Sequence, residues 1–364
     1  MRFHILVNKY TPSNTDYLSD AFNQLAIKFS NMMYRNGHEV YFYGTGSKIT
    51  VLCTQYYCII PDTIYENIEK EISCNSGDYL IFSSHELRKK FLPDSPCSYY
   101  MTVAELIRNN KQPNDIVCDF YGGWYNLERY ELQDMFLMMP CQLGGFVGYK
   151  NIIYCCTPWK NAKIEKQRLI DNQNDNIIPP IFNANEFIFN TDKQKVVLYL
   201  ARIQHIKGVG VVLELSQLRK DYIFIIAGYH NDYDKEELLI DDVIYRKKDY
   251  PNVTFFGYAN VDQRKFLLSL SSWLIQPSQY FEPFGFNIIE AYLSGTPVLT
   301  TNTGSFTEIV KHGQTGFLCK NIDQFVYYLD FKLDSYEIYA EGCRYDEDII
   351  YEKYMTYFWN RHLV

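Results

Sequence analysis

YFEPFGFNIIEAYLSGTPVLTTNTGS, residues 280–305, is the stretch from which the architecture of this chain is read. Glu282 and Pro283 open a loop that continues through Phe284, Gly285 and Phe286. A short helix is predicted next. Ile288, Ile289, Tyr292 and Leu293 make its apolar stripe, while Asn287, Glu290 and Ser294 share the other face at i, i+3 and i+7. Gly295 falls where a helix-terminating glycine is expected, and Pro297 prevents continuation. Pro297 to Thr301 then reads as a buried strand. A glycine just before a helix lets a ligand approach the backbone, and the free amides of the first turn favour an anion there. A glutamate at such a place suits hydroxyls instead, because a carboxylate accepts hydrogen bonds and sugar hydroxyls donate them. Phosphates and hydroxyls on one ligand describe a nucleotide sugar.

The 364 residues are long for one domain and comfortable for two, each able to bury a core. With 47% hydrophobic and 21% charged residues the chain is globular. A formal charge of −8 argues against a general nucleic-acid or anionic-membrane surface, so an anionic ligand must be held by local cations and backbone amides. There is no run of about 18 apolar residues of the kind a membrane helix needs. The start, MRFHILVNKYTPSNTDY, lacks a signal-peptide layout, which leaves at most peripheral membrane contact. The ten cysteines show no paired C-x-x-C spacing; Cys118, Cys155, Cys156 and Cys319 sit in apolar runs as small hydrophobes of a reducing compartment. A cytoplasmic location is expected. The 33 tyrosines and 24 phenylalanines, with common Asn, Ile and Lys, read as AT-rich coding of viral or low-GC bacterial type; if viral, the location is the host cytoplasm.

The pattern Glu282-Pro-Phe-Gly-Phe-x-x-x-Glu290 resembles the E-x7-E signature of family 4 glycosyltransferases, retaining enzymes of the GT-B fold. The resemblance implies that Glu282 meets the donor sugar and that the amides of Phe284, Gly285 and Phe286 meet sugar and diphosphate. It implies that Glu290 meets the ribose hydroxyls. Ala201-Arg202 and Lys207-Gly208, after the strand VVLYLA, resemble the family's Gly-Arg…Lys-Gly pair that clamps the diphosphate, with Ala replacing Gly. Arginine offers a planar fork and lysine a compact charge, so the two are complementary. Gly257-Tyr258 stands where relatives meet the base, and Gly304-Ser305, before a helix carrying Glu308, where relatives place amides near phosphate.

The amino-terminal half opens as strand, loop, helix and strand: Phe3 to Asn8, Lys9 to Asp16, about Leu18 to Arg35, and Glu39 to Tyr43. Its RNGHEVYFYG resembles the family's opening. The first loop, KYTPSNTD, has no glycine; Thr11, Ser13 and Thr15 are its candidate acceptor-side donors. From Lys48 to Asp119 the alternation runs through KITVLC, a polar helix about Ile64 to Ile72, DYLIFSS and NDIVCDFYGG. Asp119 and Gly122-Gly123 stand at a strand's carboxyl end, where ligands gather in parallel sheets. The histidine usual in this part of the family is missing from DFYGGWYNLERY, and His85 is the nearest alternative. Gly144, Gly145 and Gly148 form a second glycine loop before a buried strand, resembling an acceptor-domain loop of relatives.

IIPPIFNANEF, residues 177–187, reads as the crossover between domains. Continuous apolar runs at 196–201, 222–228, 253–258, 272–277, 297–301 and 316–319 alternate with helices and indicate a parallel sheet covered on both faces. The expected domains are 1–183 on the acceptor side, 184–345 for the nucleotide sugar, and a terminal helix from 346 to 364 that returns to the first domain. The resemblance implies two facing Rossmann-like, doubly wound α/β domains with the active site in the cleft between them. It implies retaining transfer of a sugar from a UDP- or GDP-sugar to a hydroxyl of a glycan, glycoprotein or lipid, with Glu282, Arg202 and Lys207 as the catalytic set. No metal or other cofactor is expected, and no Asp-x-Asp occupies a suitable loop. Two rivals stay open. One is a GT-B nucleotide-sugar epimerase or phosphorylase-like enzyme; the other is a nucleotide-sugar-binding protein without turnover.

Overall fold

Apolar runs without alternation become two parallel sheets in the computed structural model, which describes residues 1–7, 13, 21–46, 49–60, 96–120, 132, 134–139, 149–167, 176–230, 232 and 234–362. The chain divides into two compact units. One comprises residues 1–155, 160–181 and 350–364; the other comprises 156–159 and 182–349.

Among the described residues the first unit holds seven strands: β1 (Arg2–Leu6), β2 (Glu39–Thr45), β3 (Gln55–Ile60), β4 (Ile116–Asp119), β5 (Phe136–Met138), β6 (Asn151–Tyr154) and β7 (Asn176–Ile177). They lie in the order β3-β2-β1-β4-β5-β6-β7, and every pairing is parallel. The helix Ala21–Arg35 turns Leu25, Phe29 and Met33 into the core. The edge strand is displaced from the expected KITVLC to QYYCII. Thr54 exchanges hydrogen bonds with Val40 at 2.8 and 2.9 Å, so pairing with β2 begins only at Gln55 opposite Tyr41. Residues 350–364 belong to this unit, and the helix Glu347–His362 supplies Ile350, Tyr354 and Phe358 to its core. Phe358 packs edge-on against Phe3 and Phe136, with ring centroids 5.6 and 5.2 Å apart.

The second unit carries β8 (Gln194–Leu200), β9 (Ile223–Ala227), β12 (Val253–Gly257), β13 (Ser271–Gln276), β14 (Val298–Thr301) and β15 (Gly316–Cys319) in the order β12-β9-β8-β13-β14-β15. Counted from its own first strand this is 3-2-1-4-5-6, the doubly wound order of dinucleotide-binding folds. Strand order reverses between β8 and β13, which pair in parallel with Leu274 opposite Leu198. Among the described residues between β9 and β12 the expected α-helix is absent. An antiparallel hairpin of β10 (Glu237–Ile240) and β11 (Val243–Arg246) takes its place. Along β10 burial alternates with period two, Leu238 and Ile240 buried and Leu239 exposed, while Val243 and Ile244 of β11 are both exposed; Asp241 and Asp242 take φ of 45° and 69° at the turn. Among the described residues no helix is long and apolar enough to cross a membrane.

Candidate functional site

Ligands of doubly wound sheets gather beyond the carboxyl ends of the strands, at the reversal of strand order. In the second unit that place is the pair of strand ends after Leu200 and after Gln276. The first leads into Arg202 and Lys207, the second into Ser278, Tyr280 and Glu282. Both ends are fastened: Gln276 Nε2 donates to the Leu200 carbonyl at 3.3 Å, and Asn287 Nδ2 donates to the same oxygen. Gly208, with φ of 85°, lets the turn after β8 close on β13. A Cβ there would stand 2.0 Å from the Pro277 carbonyl oxygen.

Closure of that turn brings Lys207 to Glu282. Lys207 Nζ lies 3.1 Å from Glu282 Oε2, with side-chain exposures of 14% and 12%. The same ammonium donates to the Tyr280 hydroxyl and sits 4.3 Å from the centre of its ring. Ser278 Oγ donates to Glu282 Oε2 at 3.4 Å. Burial pulls the Lys207 ammonium below the ordinary lysine range; Glu282 opposes that shift, while Arg202 adds to it. The Arg202 side chain is exposed and makes no hydrogen bond or ion pair among the described residues, though Tyr199 Oη fixes its carbonyl at 2.7 Å. A nearly enclosed lysine beside an open guanidinium is a place prepared for an anion.

The helix Phe286–Leu293 forms as its stripe predicts. Ile288, Ile289, Tyr292 and Leu293 are buried, and Gly295 and Thr296 donate to the carbonyls of Tyr292 and Ala291 to end it. Gly285 caps its start with a left-handed backbone. Phe284 is buried, so only its backbone is free to meet a ligand, and Phe286 is half-buried. Gly304 and Ser305 brace this loop from behind. The Ser305 amide donates to the Glu282 carbonyl at 3.0 Å and its hydroxyl to the Phe284 carbonyl at 2.7 Å. A Cβ on Gly304 would stand 2.5 Å from the Glu282 carbonyl oxygen. Gly257 ends β12, accepting from the Gly228 amide at 2.8 Å, and is followed by the exposed Tyr258.

Glu290 is paired with Arg264, at 2.5 Å from Nη2 to Oε2. Sequence reasoning passed over this arginine, which stands just inside the helix Val261–Leu270 behind an Asn260–Gln263 capping box. It also missed Tyr280 and Ser278; their closeness to Glu282 along the chain was the available signal. Of the acceptor-side candidates, Ser13 is buried and joined to the end of β2, donating its amide to the Thr45 carbonyl and accepting the Thr45 amide on Oγ at 3.1 Å. Thr11, Gly122, Gly123, Gly144, Gly145 and His85 lie outside the described residues. Among the described residues no group of three or more His, Cys, Asp or Glu side chains is placed to hold a metal ion.

A family model described as glycosyl transferases group 1 matches residues 182–341, nearly the whole second unit. The Anabaena protein HepE, solved with UDP and glucose, superposes with a TM-score of 0.64 at 14% identity over 97% of this chain and 98% of its own. A glycosyltransferase from Rickettsia africae gives 0.65 at 14% identity over 98% and 97%. This is a GT-B fold. Curated relatives match over part of the chain. An uncharacterized glycosyltransferase of Methanocaldococcus jannaschii is 29% identical over 173 residues, 45% of this chain and 42% of that protein. The glycogen synthase of Mycobacterium tuberculosis is 33% identical over 125 residues, 34% and 30%. The match thus spans less than half the length of either relative.

Proposed function

We propose that this GT-B protein is a retaining, metal-independent glycosyltransferase that moves a sugar from a nucleotide-sugar donor to an acceptor hydroxyl. The observation that carries this reading is the Lys207–Glu282 pair beside the open Arg202, at the reversal of strand order. As the bond from the anomeric carbon to the diphosphate oxygen breaks, negative charge gathers on the departing oxygen. Lys207, Arg202 and the amides at the start of the helix Phe286–Leu293 neutralise that charge without reorganising. Glu282 accepts from hydroxyls of the transferred sugar, and its contact with Lys207 couples sugar and diphosphate in one cluster. Glu290 takes the ribose, and the Gly257–Tyr258 turn the base. Gly304 and Ser305 act through the loop they brace. The acceptor is a glycan-type hydroxyl. The E-x7-E resemblance supports these roles, as do the group 1 match and the structure of HepE with UDP-glucose.

Incubation of the chain with UDP-, GDP- and ADP-sugars, with and without oligosaccharide acceptors, tests the reading. Release of the nucleoside diphosphate with a new glycosidic bond is expected. Interconversion of the donor sugar without an acceptor would identify an epimerase, and saturable binding without any turnover would identify a binding protein.

A further inference from the structure

Glu290 is anchored by one oxygen only. Arg264 Nη2 donates to Glu290 Oε2 at 2.5 Å and to Asn287 Oδ1 at 3.2 Å, while Asn287 Nδ2 holds the Leu200 carbonyl. A relay therefore runs from the end of β8 through Asn287 and Arg264 to the carboxylate. Glu290 Oε1 takes no hydrogen bond among the described residues. The two charged side chains are 22% and 17% exposed, enclosed enough to hold one geometry and open enough to be reached. A free glutamate would lose rotamer entropy on meeting a ligand; one already fixed through its other oxygen does not.

We propose that Arg264 is a positioning residue that presents Glu290 Oε1 to the ribose diol of the bound nucleotide and so sets the selection of ribose over deoxyribose. The inference rests on the reading of Glu290 as the ribose acceptor. Both hydrogens of Nη2 are used, one on each acceptor, so the guanidinium sets the direction of the carboxylate as well as its place. A ligand without the 2′-hydroxyl takes away one of the diol's two donors to Oε1 in a half-enclosed site, and a prepared polar group that loses a donor disfavours the analogue. A mere staple between the helices Val261–Leu270 and Phe286–Leu293 would behave differently, because its loss weakens ribo- and deoxynucleotides alike.

Calorimetric titration of the full chain with UDP, GDP and ADP identifies the nucleotide that binds. That nucleotide and its 2′-deoxy counterpart are then titrated into wild type, Glu290→Gln, Arg264→Met and Arg264→Lys. Wild type is expected to prefer the ribonucleotide about tenfold, the worth of one hydrogen bond to a charged group. Glu290→Gln and Arg264→Met bring that ratio close to one, Arg264→Lys keeps part of it, and deoxynucleotide affinity stays within about threefold of wild type. Discrimination preserved in Glu290→Gln, or absent from wild type, overturns the ribose reading itself. Discrimination lost in Glu290→Gln but intact in Arg264→Met overturns the role of Arg264 alone. So does equal weakening of both nucleotides in an Arg264→Met protein whose circular dichroism and melting match wild type.

Discussion

Lys207 and Glu282, 75 positions apart in the chain, face each other at 3.1 Å with about one-seventh of each side chain exposed. An ion pair so enclosed is a poor stabiliser, because desolvation of both charges offsets most of their attraction. Its value lies in use. The pair keeps a cation where a phosphate leaves and a carboxylate where a sugar sits, each orienting the other.

Glu282 and Glu290 are expected to fail in different ways. Glu282→Gln lowers kcat roughly ten- to a hundredfold and barely changes affinity for the free nucleoside diphosphate, since the lost contact strengthens in the transition state. Glu290→Ala weakens nucleotide and nucleotide sugar together and raises KM by a similar factor of about ten to a hundred. Titration of the nucleoside diphosphate into both variants decides it; equal loss in both means the pocket is wrongly assigned.

The pH profile should carry the mark of Lys207. Its ammonium is held below the ordinary lysine value of 10.5 by burial, so it is charged at low pH and neutralised as pH rises through the lowered value. The alkaline limb of kcat/KM therefore falls before pH 10.5, and Lys207→Arg moves that limb upward because guanidinium keeps its proton. For stability the sign is opposite. Between the lowered value and 10.5 the unfolded chain binds the extra proton, so folding gains as pH rises, and Lys207→Met removes this slope from urea midpoints. An alkaline limb unchanged in Lys207→Arg would count against the assignment.

Gly208 and Gly304 are among the glycines that leave no room for a side chain. Gly208→Ala places a Cβ 2.0 Å from the Pro277 carbonyl oxygen at φ of 85°, and Gly304→Ala places one 2.5 Å from the Glu282 carbonyl oxygen at φ of 58°. Left-handed backbone alone costs about 1–2 kcal/mol for a residue with a Cβ, and the backbone clash adds to it. Both variants should melt lower and lose activity, whereas Gly313→Ala, with φ of 83° and open space around its Cβ, should cost the backbone term only. Thermal melts of the three proteins check the order.

Lys193 braces the site from the far end of its helices. Its Nζ donates to the Ser269 and Ser294 carbonyls at 2.9 and 2.8 Å and to Thr296 Oγ1 at 2.7 Å. The two carbonyls close the helices that carry Arg264 and Glu290. Lys193→Met removes the charged donor from each carbonyl, leaving only the Asn190 amide on Ser294 and the Asn190 side chain on Ser269, and should destabilise by about 1–3 kcal/mol in urea unfolding. Nucleotide affinity measured well below the melting point should hold; a large loss there would give Lys193 a closer part in binding.

If Arg202 and Lys207 together neutralise the leaving diphosphate, activity survives dialysis against EDTA. Loss of turnover restored by magnesium or manganese would refute metal independence.

Short-range pattern made much of this protein legible without coordinates. The stripe Ile288, Ile289, Tyr292, Leu293 and the stop at Gly295 describe one helix because 3.6-residue periodicity and a left-handed glycine are properties of a few adjacent residues. Runs such as VVLYL and VLTT describe a buried parallel sheet for the same reason. The hairpin at 237–246 had a weaker local signal, since ELLI and VIYR are short apolar runs without alternation and only the Asp-Asp turn between them marks a reversal. Other features had no local signal. That Arg264 meets Glu290, that Ser305 spends its amide and hydroxyl on the Glu282 loop, and that Lys207 reaches Glu282 all depend on strand order. β8 and β13 are separated by two strands and a hairpin in the chain, yet lie side by side in the sheet, and only that adjacency brings their loops together. The residue types were settled by sequence, since charge and hydrogen-bonding capacity belong to each side chain alone. Their partners were decided by tertiary structure, because a contact a few ångströms long between distant positions exists only once the sheet has chosen its neighbours.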